Sequence, residues 1–275
     1  MYRQKRIKMK KIALALLVAT YCMAASEVEI KDEIRDIKTK IKKLNENLKQ
    51  LEGNLPVEGY LFNARAEVGY ISNSGNSNTE SFNADAKITN SWDLHSLEIS
   101  MLMQYGTDNG TENRNKFLGE LVYDYKLSEK LSLNYLLGYK DDKFSGFDYQ
   151  FYTGPGAKYI TIKTDFHDLT VDGNFLYAKD KIFGEVDRRY LAYRLKGVYN
   201  MQVLENLKFH QTLSYRSEFS DIENYFFYSK TAFSTKLSDI FSAGVSYQVD
   251  YTNKPALFWK NSTDTTFTFN LIADY

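Results

Sequence analysis

The sequence predicts an all-β protein: an antiparallel transmembrane β-barrel of about twelve strands, preceded by a short coiled-coil helix. Three observations carry that expectation. From Pro56 to Tyr275 apolar and polar residues alternate with a period of two. The chain holds 22 Tyr and 18 Phe in 275 residues, an excess that a barrel in lipid uses for aromatic girdles at both interfaces. The connections between the alternating runs are short on one side and mostly longer and polar on the other, as in a bacterial outer-membrane barrel.

Composition alone would have pointed to a soluble chain. Mean hydropathy is −0.45 and 35 Lys and Arg balance 35 Asp and Glu. No uncharged apolar run reaches the ~18 residues that a membrane helix needs. With no net charge and no basic cluster outside the N-terminus, nothing calls for a nucleic-acid partner.

Residues 1–25 read as a secretion signal. Arg3, Lys5, Arg6, Lys8, Lys10 and Lys11 form a basic region, Ile12 to Thr20 an apolar one, and Ala24 and Ala25 offer the cleavage site. Met9-Lys10-Lys11 is itself a sufficient basic start. Cys22, the only cysteine, follows Tyr21 where a lipidation signal wants a small residue, so it leaves with the signal and no disulfide is expected.

Residues 26–53 read as a periplasmic coiled-coil helix. Ile30, Ile34, Ile37, Ile41, Leu44, Leu48 and Leu51 recur in steps of four and three, an a/d seam with Ile34, Ile41 and Leu48 at a. Lys, Glu, Asp, Asn and Gln fill most of the spaces, and Glu33 and Lys38 can pair across parallel chains. Ile at both core positions leans towards a homotrimer. The same stripe also suits packing on its own barrel or on a periplasmic partner. Gly53, Asn54 and Pro56 end the segment.

Residues 57–275 read as the barrel. The alternation is plainest in Phe241, Ala243, Val245, Tyr247, Val249 and Tyr251, and in the last run, where Ile272 is the one breach. It is weakest around Phe151 to Tyr159, where Pro155 and nearby glycines predict a bulge or kink. Ser91–Leu94, Ser128–Lys130, Thr161–Asp165, Asn200–Asn206 and Ser238–Ile240 are the short connections. Ser72–Asn78, Thr107–Asn113, Asp141–Tyr149, Lys179–Asp187 and Thr252–Asn261 are the longer ones. An even strand count puts the helix on the periplasmic side of the cell outer membrane. Phe267, Phe269, Leu271 and Tyr275 form the aromatic-ended pattern of a membrane-insertion signal, to be read by barrel-assembly machinery.

Two stretches, S-G-N-S-N-T-E-S over Ser74–Ser81 and D-K-F-S-G-F-D-Y-Q-F-Y-T-G-P-G over Asp142–Gly156, resemble the YdiY-like proteins, described as salt-induced outer-membrane proteins of unassigned function. The resemblance spans roughly Tyr60 to Tyr275. It implies an outer-membrane location with lipid as a partner, and supplies no catalytic residues.

Twelve strands lie between the filled eight-stranded barrel and the open channels of sixteen. With even residues inward on most strands, Arg194, Lys196, Lys208, Arg216, Lys230 and Lys236 form a basic wall. Glu67, Asp85, Glu98, Glu120, Asp124, Asp250, Asp264 and Asp274 form an acidic one. Two readings stand: a transverse field that orients solutes and favours anions, or mutual neutralisation in a closed lumen. The function expected is a narrow porin-like channel for small polar or anionic solutes. The alternative is a non-conducting structural or interaction barrel tethered through its helix. An enzyme finds little support, because His95, His167 and His210 are scattered, and His210 near Ser214 lacks a third partner. No metal or cofactor is expected.

Overall fold

The computed structural model describes residues 35–45, 61–73, 78–256 and 262–275. It divides into two compact units, 1–58 and 59–275. In the first, residues 35–45 form a helix, α1. Its exposed turns are tied by a Lys40–Asp36 ion pair at 2.7 Å and by the Thr39 hydroxyl donating to the Arg35 carbonyl. Ile41 and Leu44 are 47% and 65% exposed. Ile30, Ile34, Leu48 and Leu51 lie outside those residues, as does the secretion signal.

The second unit is a closed antiparallel barrel of twelve strands. They are β1 (Leu61–Asn73), β2 (Thr79–Trp92), β3 (His95–Asp108), β4 (Thr111–Lys126), β5 (Leu131–Asp142) and β6 (Phe147–Lys163). Then follow β7 (His167–Ile182), β8 (Arg188–Leu204), β9 (Leu207–Glu218), β10 (Tyr225–Lys236), β11 (Phe241–Thr252) and β12 (Thr263–Asp274). Each strand pairs with its sequence neighbours, and β12 closes on β1. At that seam the Ala64 amide donates to the Tyr275 carbonyl at 2.8 Å and the Tyr275 amide to Ala64 at 2.7 Å.

The burial pattern settles which face is which. On β3 to β12 the even residues point to the lumen, whereas on β1 and β2 odd residues do so. The outer face is the apolar one, as in exposed Met101, Met103 and Tyr105 on β3, or Leu133, Tyr135, Leu137 and Tyr139 on β5. A soluble barrel does the reverse, so this wall is built to meet hydrocarbon. At one polar position of that wall the side chain is satisfied internally: Gln211 accepts from the Thr231 hydroxyl at 2.6 Å and donates to the Ser229 hydroxyl at 3.1 Å. In lipid no water would do that work.

Aromatic side chains form a contact row at each end of the wall. Tyr193, Tyr215, Tyr225 and Tyr251 pack ring against ring in tilted pairs across β8–β11 at one end. Tyr199, Phe209 and Phe233 meet at the other, beside a stacked His167–Tyr199 pair.

Two local expectations are corrected. Thr107–Asn113 is no long loop: β3 and β4 join through Asn109 and Gly110 alone, at φ of 47° and 78°. Positive φ at both central residues gives the tight hairpin whose twist matches the strands, and Asn-Gly is the pair that tolerates it. Around Pro155 there is no bulge. The register from Thr153↔Tyr177 to Gly156↔Asn174 is continuous, and the register shifts fall at the ends of β6, near Phe147–Tyr149 and Ile160–Ile162. Proline merely omits its amide from the ladder. Ile272 is the one apolar residue at an inward position of the last run, and it is buried in the lumen.

Candidate functional site: a charged lumen

The lumen combines an apolar cluster with a charged cavity. Val122, Leu136, Tyr152, Leu176, Ala178 and Ala192 bury one another on the inner face of β4 to β8. Beside them a cavity of about 280 Å³ draws its lining from most of the other strands, with seven Arg and Lys against five Asp and Glu.

The ion pairs show how those charges are settled. Arg194 on β8 reaches Glu120 on β4 at 2.8 Å and Asp172 on β7 at 3.2 Å, and Lys196 lies 3.7 Å from Glu120. Glu120 also accepts from the Tyr152 hydroxyl at 2.6 Å. Lys230 on β10 contacts Glu67 at 3.1 Å and Asp85 at 2.8 Å. Arg194–Asp172 joins paired neighbours, but the ion pairs to Glu120, Glu67 and Asp85 join strands three or more apart around the wall, so they cross the lumen.

Other predicted residues sit elsewhere. Lys208 and Lys236 are exposed near the turn end of the barrel, and Lys236 pairs with Asp239 at 3.2 Å. Asp264 is exposed near the opposite end. Asp124 is held by Lys158 at 2.6 Å. Phe267, Phe269, Leu271 and Tyr275 all point outward from the last strand or its end.

Two opposed walls do not form. The acidic strands carry their own cations, which sequence reading passed over: Lys87 pairs with Glu98 at 2.8 Å, Lys116 with Asp250 at 2.8 Å, and Arg65 with Asp274 at 2.9 Å. All three occupy lumen positions of the same alternation, so the signal was present. Neutralisation therefore runs both between neighbouring strands and across the lumen, and a field is left only where a cation lacks a partner. His210 has both ring nitrogens engaged, by Asn200 at 2.6 Å and Thr212 at 2.9 Å. That arrangement offers neither a carboxylate to orient the ring nor a serine to activate.

Outside the wall, the loop between β9 and β10 is clamped by Lys254, which bonds Asp221 at 2.8 Å. That hydrogen bond holds the Asp221 carboxyl below the usual range for an aspartate.

Comparison with known proteins bears on this geometry. A family model described as DUF481, protein of unknown function, matches residues 66–275. The chain belongs to the DUF481 family. The match begins within β1, runs to the end of the barrel and leaves the helix out. No curated protein matches the chain. Among solved structures it is similar to the NanC porin, at 10% identity and a TM-score of 0.46, covering 78% of this chain and 99% of that one. The COG4313 outer membrane channel from Pseudomonas putida F1 gives 10% and 0.45, covering 80% and 96%. The KdgM porin gives 11% and 0.41, covering 78% and 98%. At such identities these likenesses bear on no single residue of this DUF481 chain.

Proposed function

We propose that the protein is a narrow, porin-like channel of a Gram-negative outer membrane, passing small polar or anionic solutes. One observation supports this reading above the rest: the lumen holds a cavity whose ionised lining carries more cations than carboxylates. A low-dielectric wall focuses such an excess, so anions are favoured along the path. The resemblance to the YdiY-like proteins supports the outer-membrane setting.

Purified protein in a planar bilayer should give discrete channels with a reversal potential on the anion side in a salt gradient. Lys196 is held only by its 3.7 Å contact, and Lys208 is exposed and makes no ion pair among the described residues. Lys196→Gln with Lys208→Gln should cut anion preference by roughly two- to threefold, the scale for removing two partly screened charges. An unchanged reversal potential in a folded variant would take these residues out of the ion path. Silence from wild-type protein that still shows heat-modifiable folding would leave a structural barrel. That second reading draws on the apolar cluster and cross-lumen pairs, which fill much of the interior.

The exposed stripe on α1 supports a further part of the proposal, association of several copies in the periplasm. Ile37→Asp with Ile41→Asp would put charge where the seam must be desolvated. Mass determination in detergent should show an oligomer for the wild type and a monomer for the variant, with the barrel still folded. A monomeric wild type would end this reading and favour another periplasmic partner.

A further inference from the structure

Arg216, on the lumen face of β9, is the cation that the network does not absorb. It stands directly opposite Arg194 on β8 and Phe226 on β10. Arg194 is neutralised by Glu120 and Asp172, but Arg216 makes no ion pair with any described carboxylate. It is 7% exposed, and its Nη1 is buried without a hydrogen-bond partner. Its guanidinium sits 4.6 Å from the centre of the Tyr152 ring and 4.3 Å from that of Phe226.

Those two rings partly offset the charge through their quadrupoles, and they hold the guanidinium in place. They cannot serve its in-plane N–H groups. A buried cation with an unmet donor is costly, and its like-charged neighbour on β8 adds to that cost. The group also lines the central cavity, so the missing partner has a place to stand. A guanidinium held in this way presents parallel donors that match the two oxygens of a carboxylate. Leu102, Leu118 and Val198 line the same cavity and suit an apolar body rather than a bare ion.

The geometry points to a binding subsite in which Arg216 holds the carboxylate of a small organic monocarboxylate inside the lumen. The subsite deepens the channel reading, since it names the class of solute and the residue that recognises it.

The test uses the full-length protein in detergent with propionate as probe, followed by saturation-transfer NMR of its methyl and methylene signals. Saturable binding is expected, weakened about tenfold or more in Arg216→Gln and partly in Arg216→Lys, which keeps charge but loses the fork. A second measurement needs no variant: propionate should protect Arg216 from an arginine-specific dicarbonyl reagent, read by peptide mass mapping. Absence of both saturable binding and protection would overturn the subsite, as would binding that Arg216→Gln leaves unchanged while heat-modifiable folding is intact. Inorganic phosphate protecting Arg216 better than propionate would overturn the assignment to carboxylates. Conductance of the same samples separates the two ideas. Binding without channels sinks the channel and keeps the subsite, whereas channels without binding do the reverse.

Discussion

Replacing Glu120 with Ala should destabilise the barrel by about 3–5 kcal/mol, the range for breaking a buried ion pair by removing one partner. Glu120 gathers Arg194, Lys196 and the Tyr152 hydroxyl around one carboxylate, and Arg194 is almost fully buried. Without Glu120 that guanidinium keeps only Asp172 and the Asn174 side-chain oxygen, each beyond 3 Å. The loss should appear as a lower temperature for the heat-modifiable transition in detergent. Glu120→Gln keeps an acceptor for Tyr152 and should cost less. Arg194→Met combined with Glu120→Ala should cost less than the two changes added, because the second removes the cation that the first strands. Full additivity would show that the pair across the lumen is not coupled. The same Glu120→Ala protein, if it conducts, should be more anion-selective than wild type, since two cations are released into the path.

The barrel was legible because lipid and lumen impose opposite demands on neighbouring residues. A strand between them must alternate, and Phe241 to Tyr251 does so without a break. Two of the barrel's strands carry interruptions that share one cause. Leu136-Leu137 and Leu176-Tyr177-Ala178 interrupt the pattern with apolar residues on both faces, because the lumen of β4 to β8 is itself partly dry. Alternation alone cannot say that an inward residue will find apolar company. The Asn109-Gly110 turn, by contrast, was readable from its dipeptide, but the polar residues on either side made it resemble a loop.

The candidate site was legible in its members and hidden in its partnerships. Arg194 and Arg216 sit at even positions and were assigned inward from the period. That Arg194 meets Glu120, 74 residues away, depends on how the barrel closes and on where the chord across it falls. Sequence spacing carries no such information. Counting cations only on β8 to β10 also made the lumen look like two opposed plates. Extending the register to Arg65, Lys87 and Lys116 would have shown the charges interleaved.

Gly154→Ala should block assembly or leave a barrel destabilised by ~3 kcal/mol, the upper end of the usual range for overpacking. A Cβ at Gly154 would lie 1.9 Å from the Phe175 carbonyl oxygen, 2.9 Å from its carbonyl carbon and 3.1 Å from the Leu176 Cα. All three are backbone atoms of β7, so no rotamer change can clear them and the β6–β7 ladder itself must move. Gly154 sits next to Pro155, where that ladder already lacks one amide donor. It also lies beside Leu176 and Tyr152 of the apolar cluster, so displacement would loosen the lumen packing as well. Gly197→Ala on β8 is the matched control, with nothing within 4 Å of the added carbon and an outward position. It should fold as well as wild type or slightly better, through the lower entropy of its unfolded chain. The measurement is the fraction of each protein in the heat-modifiable form and its transition temperature. Equal behaviour of the two variants would mean that β6 and β7 do not approach this closely, and the lumen described above would have to be redrawn around that pair.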